Sequence, residues 1–138
     1  MYLSVKEIRV TIKISKLLHS TILVQDLSQA TDFYEGLLGF QIDSKRPDLG
    51  YPGRWYKLGE QQVHLMRLPD PEKAEGIQLD RPEHAGRDRH IAFEVDSVEN
   101  LAKLLSSSNI PFTVSQSGRN ALFCRDPDGN GLEFVEVT

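Results

Sequence analysis

The sequence predicts an α+β fold in which one chain carries two copies of a βαβββ unit. Residues 17–68 and 89–137 each show a strand pattern, one apolar stripe with helical spacing, and three further strand patterns. A charged segment with three prolines separates these two regions, over residues 69–88. We therefore divide the chain into an N-terminal extension (1–15) and a single domain (16–138), which consists of module one (17–68), a linker and module two (89–137).

Module one begins with a strand rich in branched residues, over 17–24. Asp26 and Ser28 are candidate N-caps for the helix that follows, and Gly39 is suited to end it. The apolar stripe of this helix consists of Ala30, Phe33, Tyr34, Leu37 and Leu38. Three strands are then predicted over 40–45, 54–58 and 61–68, the last two joined by a turn at Gly59-Glu60.

Module two repeats this order. A strand over 89–95 precedes the pattern Asp96-x-x-Glu99, which predicts a helix N-terminus capped by Asp96. The stripe of this second helix consists of Val98, Leu101, Ala102 and Leu105. Strands are predicted over 112–115, 121–125 and 132–137, with a tight turn at 126–130 before the last one.

The composition excludes several classes of function. The net charge is −4, and the 16 basic residues form no block, which argues against a nucleic-acid surface. The single cysteine, Cys124, excludes an intrachain disulfide and a multi-cysteine metal site, and it is more typical of a small buried apolar residue. No apolar stretch reaches the roughly 20 residues that span a membrane.

Residues 1–15 alternate loosely between apolar and polar types and are compatible with an edge strand, an arm exchanged in a dimer, or a disordered leader. Their charges break any apolar run of the kind found in a signal peptide. We therefore expect a cytoplasmic protein.

Four side chains suited to metal binding occupy matching places in the two modules. His19 begins module one, and His64 lies 64 − 19 = 45 residues later on its last strand. His90 begins module two, and Glu133 lies 133 − 90 = 43 residues later on its last strand. A single strand histidine is more often a core residue bonded to a carbonyl, but four such residues at matched positions favour a site for a divalent cation.

Strand periodicity places all four candidate ligands on the sheet face opposite the helix of their module. Side chains alternate along a strand, so the apolar neighbours of each candidate point the opposite way, towards the helix of the module. These neighbours are Leu18, Ile22, Val24, Val63, Leu65, Ile91, Phe93, Val95, Leu132 and Phe134. The candidate face also carries Leu23, Ala92 and Val135, so we expect it to be sheltered, where an unpaired polar group costs several kcal/mol.

Other residues are weaker candidates for contact with a substrate. His84, Arg87 and Arg89 lie together in and beside the linker and could bind an anionic group, although a solvated loop explains them equally well. Trp55 is expected in the core or in the wall of a pocket.

With these motifs the chain resembles the vicinal oxygen chelate superfamily, which includes glyoxalase I, extradiol dioxygenases, fosfomycin-resistance thiol transferases, methylmalonyl-CoA epimerase and bleomycin-binding proteins. The resemblance covers about residues 17–137. It rests on Leu18-His19 with Val24-x-Asp26-Leu27, Phe33-Tyr34-x-x-x-Leu38-Gly39-Phe40, His90-Ile91-Ala92-Phe93, and Asp126-Pro127-Asp128-Gly129-Asn130-x-x-Glu133.

The resemblance implies that the paired modules form a half-open barrel around one divalent metal, with Zn, Ni, Fe or Mn as candidates. His19, His64, His90 and Glu133 would be its ligands, and a small substrate would chelate the metal through adjacent oxygens. It further implies a homodimer whose sites are shared between chains, and a lyase or isomerase reaction through an enediolate-type intermediate with Glu133 as the catalytic proton carrier.

Three positions depart from the pattern of glyoxalase I. His64 stands where that enzyme usually carries a glutamate, and Leu23 and Leu68 stand where it has glutathione-binding Arg and Asn residues. The substrate is therefore not expected to be a glutathione adduct.

Two other functions remain open at this point. His19, His90 and Glu133 form the two-histidine, one-carboxylate set of iron dioxygenases, which makes an Fe(II) extradiol-type dioxygenase the first alternative. The second is a non-catalytic small-molecule binding or resistance protein that uses the cleft between the modules.

Overall fold

A computed structural model describes residues 10–68 and 81–137 of the 138-residue chain. The strands are β1 (His19–Val24), β2 (Gln41–Ile42), β3 (Gly53–Leu58), β4 (Gln61–Arg67), β5 (His90–Val95), β6 (Phe112–Val114), β7 (Ala121–Arg125) and β8 (Gly131–Glu136). The helices are α1 (Leu27–Thr31), continued by a π-helical segment (Asp32–Leu37), and α2 (Val98–Ser107). A 3₁₀ turn, Ala85–Arg87, precedes β5.

Each module forms one four-stranded mixed sheet, in the orders β1-β4-β3-β2 and β5-β8-β7-β6. In both sheets the first strand pairs in parallel with the last, and the remaining pairs are antiparallel. The predicted α+β class and the repeated βαβββ order are confirmed, and the described strands form no closed barrel.

The duplication extends to the hydrogen-bond register. Thr21 is the partner of His64 across β1 and β4, as Ala92 is the partner of Glu133 across β5 and β8. Trp55 faces His64 from β3 in the way that Phe123 faces Glu133 from β7. His19 and His90 each lie two residues before the first of these partners, so the four candidates occupy equivalent positions in two equivalent sheets.

One apolar core lies between the sheets and their helices and contains residues of both modules. Its fully buried members include Val24, Tyr34, Tyr56, Leu65, Leu105, Leu122 and Leu132. The neighbours predicted to face the helices are buried or packed against this core, with one exception. Leu18 is 61% exposed, because it precedes β1, which is an edge strand of its sheet.

The turn before β8 holds the two modules together. Asp126 is buried and accepts a hydrogen bond of 2.7 Å from the hydroxyl of Tyr34, which lies in the π-helical segment of module one. Asn130 donates to the carbonyl of Leu23 on β1 at 3.0 Å, and Gln25 N donates to Asp128 at 3.2 Å. The segment 126–130, which the sequence predicts only as a tight turn, thus also makes polar contacts between the modules.

The structure departs from the prediction in three local details. The first helix changes to π-type hydrogen bonding, with Leu38 N donating to Phe33 O. β2 is limited to two residues. The prediction that Asp96 caps α2 is wrong: Ser97 is the N-cap and accepts from Asn100 N, because its backbone is the last extended one before the helix.

Residues 10–18 adopt neither helix nor strand. The remainder of the predicted extension (1–9) and most of the linker (69–80) lie outside the described residues. Among the helices that the structure describes, none has the length and apolar character needed to cross a membrane.

Candidate metal centre

His90 and Glu133 meet at the start of the second sheet. His90 is the first residue of β5, and Glu133 lies on the adjacent β8. His90 Nε2 lies 3.2 Å from Glu133 Oε1. The carboxylate is 2% exposed, whereas the His90 side chain is 26% exposed and reaches the surface.

The hydrogen bonds of His90 define which of its nitrogens is free. Nδ1 lies 2.8 Å from the carbonyl oxygen of Asp88, and a carbonyl can only accept, so Nδ1 carries the proton. In a neutral ring the lone pair of Nε2 then points at a carboxylate oxygen. Two acceptors are stable at this distance only with a cation between them, which is either a second ring proton or a metal.

The 3.2 Å separation fits a metal as well as a proton. Nitrogen and oxygen donors about 2.1 Å from one cation, at the angles of octahedral or tetrahedral coordination, lie about 3.0–3.4 Å apart. An imidazole whose other nitrogen bonds a backbone carbonyl is also the usual form of a metal-binding histidine. The residues present therefore fit a divalent ion.

His19 and His64 form the second pair, at the equivalent place in the first sheet. Their rings are stacked with centroids 4.0 Å apart, and Trp55 stacks on the other face of His64 at 4.2 Å. His64 Nε2 donates to the Gln62 amide oxygen at 2.9 Å, and the Gln62 amide nitrogen donates to Asp43 at 2.7 Å. This chain of hydrogen bonds leaves Nδ1 of His64 as the free donor atom for a metal.

The surroundings of His64 keep it neutral. Burial, followed by the neighbouring His19 and Arg46, lowers the pKa of His64 below its ordinary value, and Asp43 opposes them only weakly. A histidine must be neutral to bind a metal, so the local electrostatics suit this role.

One chain brings the four predicted ligands together as two pairs and not as one cluster. Within residues 10–68 and 81–137, no group of three or more His, Cys, Asp or Glu side chains is close enough to hold a metal ion. The expectation of a sheltered face holds for Glu133, but His19 and Ala92 are exposed and Leu23 is 40% exposed. In a single chain, the ligand-bearing faces of β1 and β5 are open.

A cavity of about 360 Å³ opens beside the second pair. The ring of Phe123 forms part of its wall and meets the edges of both His90 and His84, with centroids 5.4 and 4.7 Å away. His84 is held by a hydrogen bond of 2.6 Å between its Nδ1 and Thr113 Oγ1. Of the weaker predictions from the linker, His84 is therefore the one that shares a cavity with His90 and Glu133.

The other weak candidates lie in different surroundings. Arg89 lines a separate cavity of about 330 Å³ between β1 and β5, which also reaches His90 and Leu23. Arg87 is exposed on the 3₁₀ turn. Trp55 contacts a predicted ligand directly through its stack on His64.

Sequence reasoning missed Arg119, which contacts Glu133. Arg119 Nη2 donates to Glu133 Oε2 at 2.7 Å from the loop between β6 and β7. Its position 14 residues before Glu133 gives no sequence signal, because only the antiparallel pairing of β7 with β8 brings that loop to the carboxylate.

Comparisons with known proteins agree with this architecture. The family model of the Glyoxalase/Bleomycin resistance protein/Dioxygenase superfamily matches residues 16–134. Glyoxylase I 4 of Arabidopsis thaliana is 30% identical over 127 residues, which are 88% of this chain and 70% of that protein.

Two solved structures show the same fold. A glyoxalase family protein from Bacillus anthracis superposes with a TM-score of 0.70 at 21% identity, over 94% of this chain and all of that one. A variant of the fosfomycin resistance protein FosX from Listeria monocytogenes, complexed with Mn(II) and 1S,2S-dihydroxypropylphosphonic acid, superposes with a TM-score of 0.66 at 17% identity, over 91% and 93% of the two chains. From its family match and its paired βαβββ modules, the chain belongs to the glyoxalase/bleomycin resistance protein/dioxygenase superfamily.

Proposed function

We propose that the protein is a metal-dependent, glyoxalase-like lyase or isomerase that acts on a small substrate with two adjacent oxygen atoms. One observation carries this proposal: His90 Nε2 lies 3.2 Å from Glu133 Oε1, a separation that a shared metal ion fits, while Nδ1 of His90 is committed to a carbonyl. A divalent ion held by both groups would satisfy the two facing atoms.

His90 and Glu133 would hold the metal, together with His19 and His64. A metal bound there would polarise a carbonyl of the substrate and lower the pKa of the neighbouring C–H bond. Glu133 would then act as the catalytic base. Because the same carboxylate is a proposed metal ligand, it would act as ligand and base in turn: it would take the proton from the carbon that bears the hydroxyl and return it to the adjacent carbonyl carbon. The hydroxyl proton passes to the former carbonyl oxygen, so the two groups exchange places and no oxidant is consumed.

We propose that two chains build each site, one contributing His19 and His64 and the other contributing His90 and Glu133. The separation of the four residues into two pairs supports this arrangement, since one chain leaves each pair with open coordination positions. The exposed faces of β1 and β5, with Leu23 and Ala92, offer a surface that a second copy could cover.

Metal uptake and turnover test the proposal together. Chelator-treated protein is loaded with Zn²⁺, Ni²⁺, Fe²⁺ or Mn²⁺, and bound metal is measured by elemental analysis. Turnover is then followed on a panel of 2-hydroxycarbonyl compounds, with and without glutathione. We expect about one metal per chain and turnover without glutathione, since Leu23 and Leu68 offer no polar group to that ligand.

Glu133→Gln should abolish turnover while metal binding is only weakened, because the amide still offers an oxygen but cannot carry a proton. Glu99→Gln, at an exposed helix position, is the matched control and should change neither property. A protein without bound metal, or a fully active Glu133→Gln variant, contradicts the proposal. Oxygen consumption with Fe²⁺ and catechols would assign the dioxygenase reaction instead.

Mixing two inactive variants tests the shared site. One variant carries His19→Ala and His64→Ala, and the other carries His90→Ala and Glu133→Ala. If sites are shared, each mixed dimer contains one complete site, and up to half of the activity of an equal amount of wild-type dimer returns on mixing. If each site comes from one chain, no activity returns.

A further inference from the structure

We propose that Arg119 selects substrates that carry an anionic group, such as a phosphate, phosphonate or carboxylate, beside their metal-binding oxygens. This inference rests on the proposed function, because it uses Glu133 as a metal ligand. It assigns a role in specificity to a residue outside the predicted ligand set.

Arg119 is placed between the ligand pair and the open cavity. Its Nη2 donates to Glu133 Oε2 at 2.7 Å, while His90 lies at the other oxygen, Oε1, of the same carboxylate. Arg119 also lines the cavity of about 360 Å³, and its side chain is 58% exposed. One guanidinium therefore touches both a predicted metal ligand and the space that a substrate would enter.

Several N–H groups of the Arg119 guanidinium are available to a ligand. Of its five N–H groups, Nη2 bonds Glu133 and Nε makes a long contact of 3.4 Å with Ser117 Oγ. Within the described part of the chain, Nη1 donates to no protein atom. Bidentate pairing with an oxyanion is the strongest interaction that such a group can make.

The charge around the cavity favours an anion once a metal is bound. Among the cavity-lining residues that the structure describes, Glu133 is the only carboxylate. A divalent cation held by Glu133 would more than offset its charge, and it would leave Arg119 and the metal as neighbouring positive charges without a counterion. A substrate with an anionic group would supply that counterion, since charge-assisted contacts gain most where water is partly excluded.

The loop holds Arg119 at this position before any ligand binds. Gly118, directly before it, has φ of +86°, a conformation that favours glycine and turns the chain towards β7. Ser115 and Ser117 are bonded through their hydroxyls at 2.8 Å, and Ser117 is the residue that receives the Arg119 Nε contact. The side chain is thus positioned by Glu133 on one side and by the loop on the other.

A matched pair of probes tests the proposal by binding. Glycerol 1-phosphate and glycerol share a vicinal diol and differ in the phosphate, and each is titrated calorimetrically into metal-loaded protein. We expect the wild type to bind the phosphate at least tenfold more tightly than glycerol. Arg119→Gln should remove this preference, which is a ratio of two affinities in the same variant and therefore corrects for any change in metal binding, and Arg119→Lys should retain part of it, because lysine keeps the charge but not the bidentate geometry.

Lys103→Gln is the control for a loss of surface charge, since Lys103 is exposed on α2, and it should keep the full preference. Urea midpoints of the Arg119 variants report whether the fold is intact. The proposal is overturned if Arg119→Gln keeps the preference, or if metal-loaded wild type shows none. A wild type that takes up no metal contradicts the proposed function instead. In that case glycerol 1-phosphate is titrated into metal-free wild type and into metal-free Arg119→Gln. Equal affinities of the two proteins would refute the role of Arg119 in binding the anionic group.

Discussion

The two modules place ligand pairs of different chemistry at the same structural position. In module one the pair is two imidazoles, stacked on each other and on Trp55. In module two it is an imidazole and a carboxylate, with His90 Nε2 3.2 Å from Glu133 Oε1. The aromatic that flanks the second pair, Phe123, meets His90 edge-on and not by stacking.

This difference predicts unequal roles for the two pairs in the proposed metal site. The pair in module two contains the negatively charged Glu133, and its two facing atoms are already close together. Module two would therefore bind the metal ion more tightly. His19 and His64 are packed ring against ring and must separate or turn to offer their nitrogens to one ion. Module one would therefore complete the coordination more weakly.

The final hairpins differ as well, and this difference predicts the largest effect. Module one closes its hairpin with the two-residue turn Gly59-Glu60, whereas module two uses Asp126–Asn130 with a buried carboxylate. Asp126→Ala leaves the Tyr34 hydroxyl and the backbone N–H groups of Asp128 and Asn130 without their acceptor. We expect a loss of about 3 kcal/mol in the free energy of unfolding, measured by urea denaturation.

Glu60→Ala, at the exposed turn of module one, should cost less than about 0.5 kcal/mol in the same assay. Equal losses in the two variants would show that the buried turn is not the special contact between modules.

The second prediction compares the two ligand pairs directly. His90→Ala should lower metal affinity by about 100-fold, or about 2.7 kcal/mol, because it removes the ring nitrogen opposite Glu133. His64→Ala should lower it by only about tenfold, or about 1.4 kcal/mol. Metal affinity is measured by competition with a chromogenic chelator. The reverse order would make module one the anchor and contradict the comparison.

The third prediction compares two buried tyrosines. Tyr34 donates across the modules to Asp126, whereas Tyr56 donates within module one to Glu35, which is partly exposed. Tyr34→Phe should cost about 1–2 kcal/mol of stability, because the carboxylate left behind is buried. Tyr56→Phe should cost less, about 0.5–1 kcal/mol, because water can reach Glu35. Both losses are read from urea midpoints, and a larger loss for Tyr56→Phe would contradict the order.

The smallest effect concerns Cys124, which occupies in module two the register position that Tyr56 occupies in module one. Burial, with a contribution from Asp126, raises the pKa of the Cys124 thiol from 9.0 to about 12. The thiol should resist iodoacetamide at pH 8 in the native protein and react in urea, as mass spectrometry would show.

The same shift has a consequence for stability at high pH. The unfolded chain ionises this thiol above about pH 9 while the folded chain keeps it protonated, so stability is intact below pH 9 and falls as pH rises towards about 12. Between pH 8 and 9.5 the loss should be less than about 1 kcal/mol, and Cys124→Ala should reduce it. An unchanged pH dependence in that variant would assign the loss to other groups.

The fold was predictable because its signals are local and repeated. Apolar spacing, the Asp26 cap and the Gly59 turn each report on a few neighbouring residues, and the second module repeats them. The π-helical segment was not predictable, since the apolar stripe that contains Phe33 and Tyr34 fits an ordinary α-helix and only the backbone hydrogen bond from Leu38 N to Phe33 O distinguishes the two. The cap of α2 was misplaced by one residue, because Asp96 and Ser97 are both good caps and backbone geometry selects between them.

By itself the sequence determined the two modules and the four candidate ligands, because strand alternation and repeat spacing are properties of the chain alone. Only the tertiary structure decided how those ligands meet, as His19 with His64 and His90 with Glu133, since strand pairing sets which side chains touch. The tertiary structure also brought Arg119 into contact with Glu133. The two residues are 14 positions apart, and no sequence pattern links them. Contacts of this kind depend on sheet register and loop position, which side-chain periodicity does not encode.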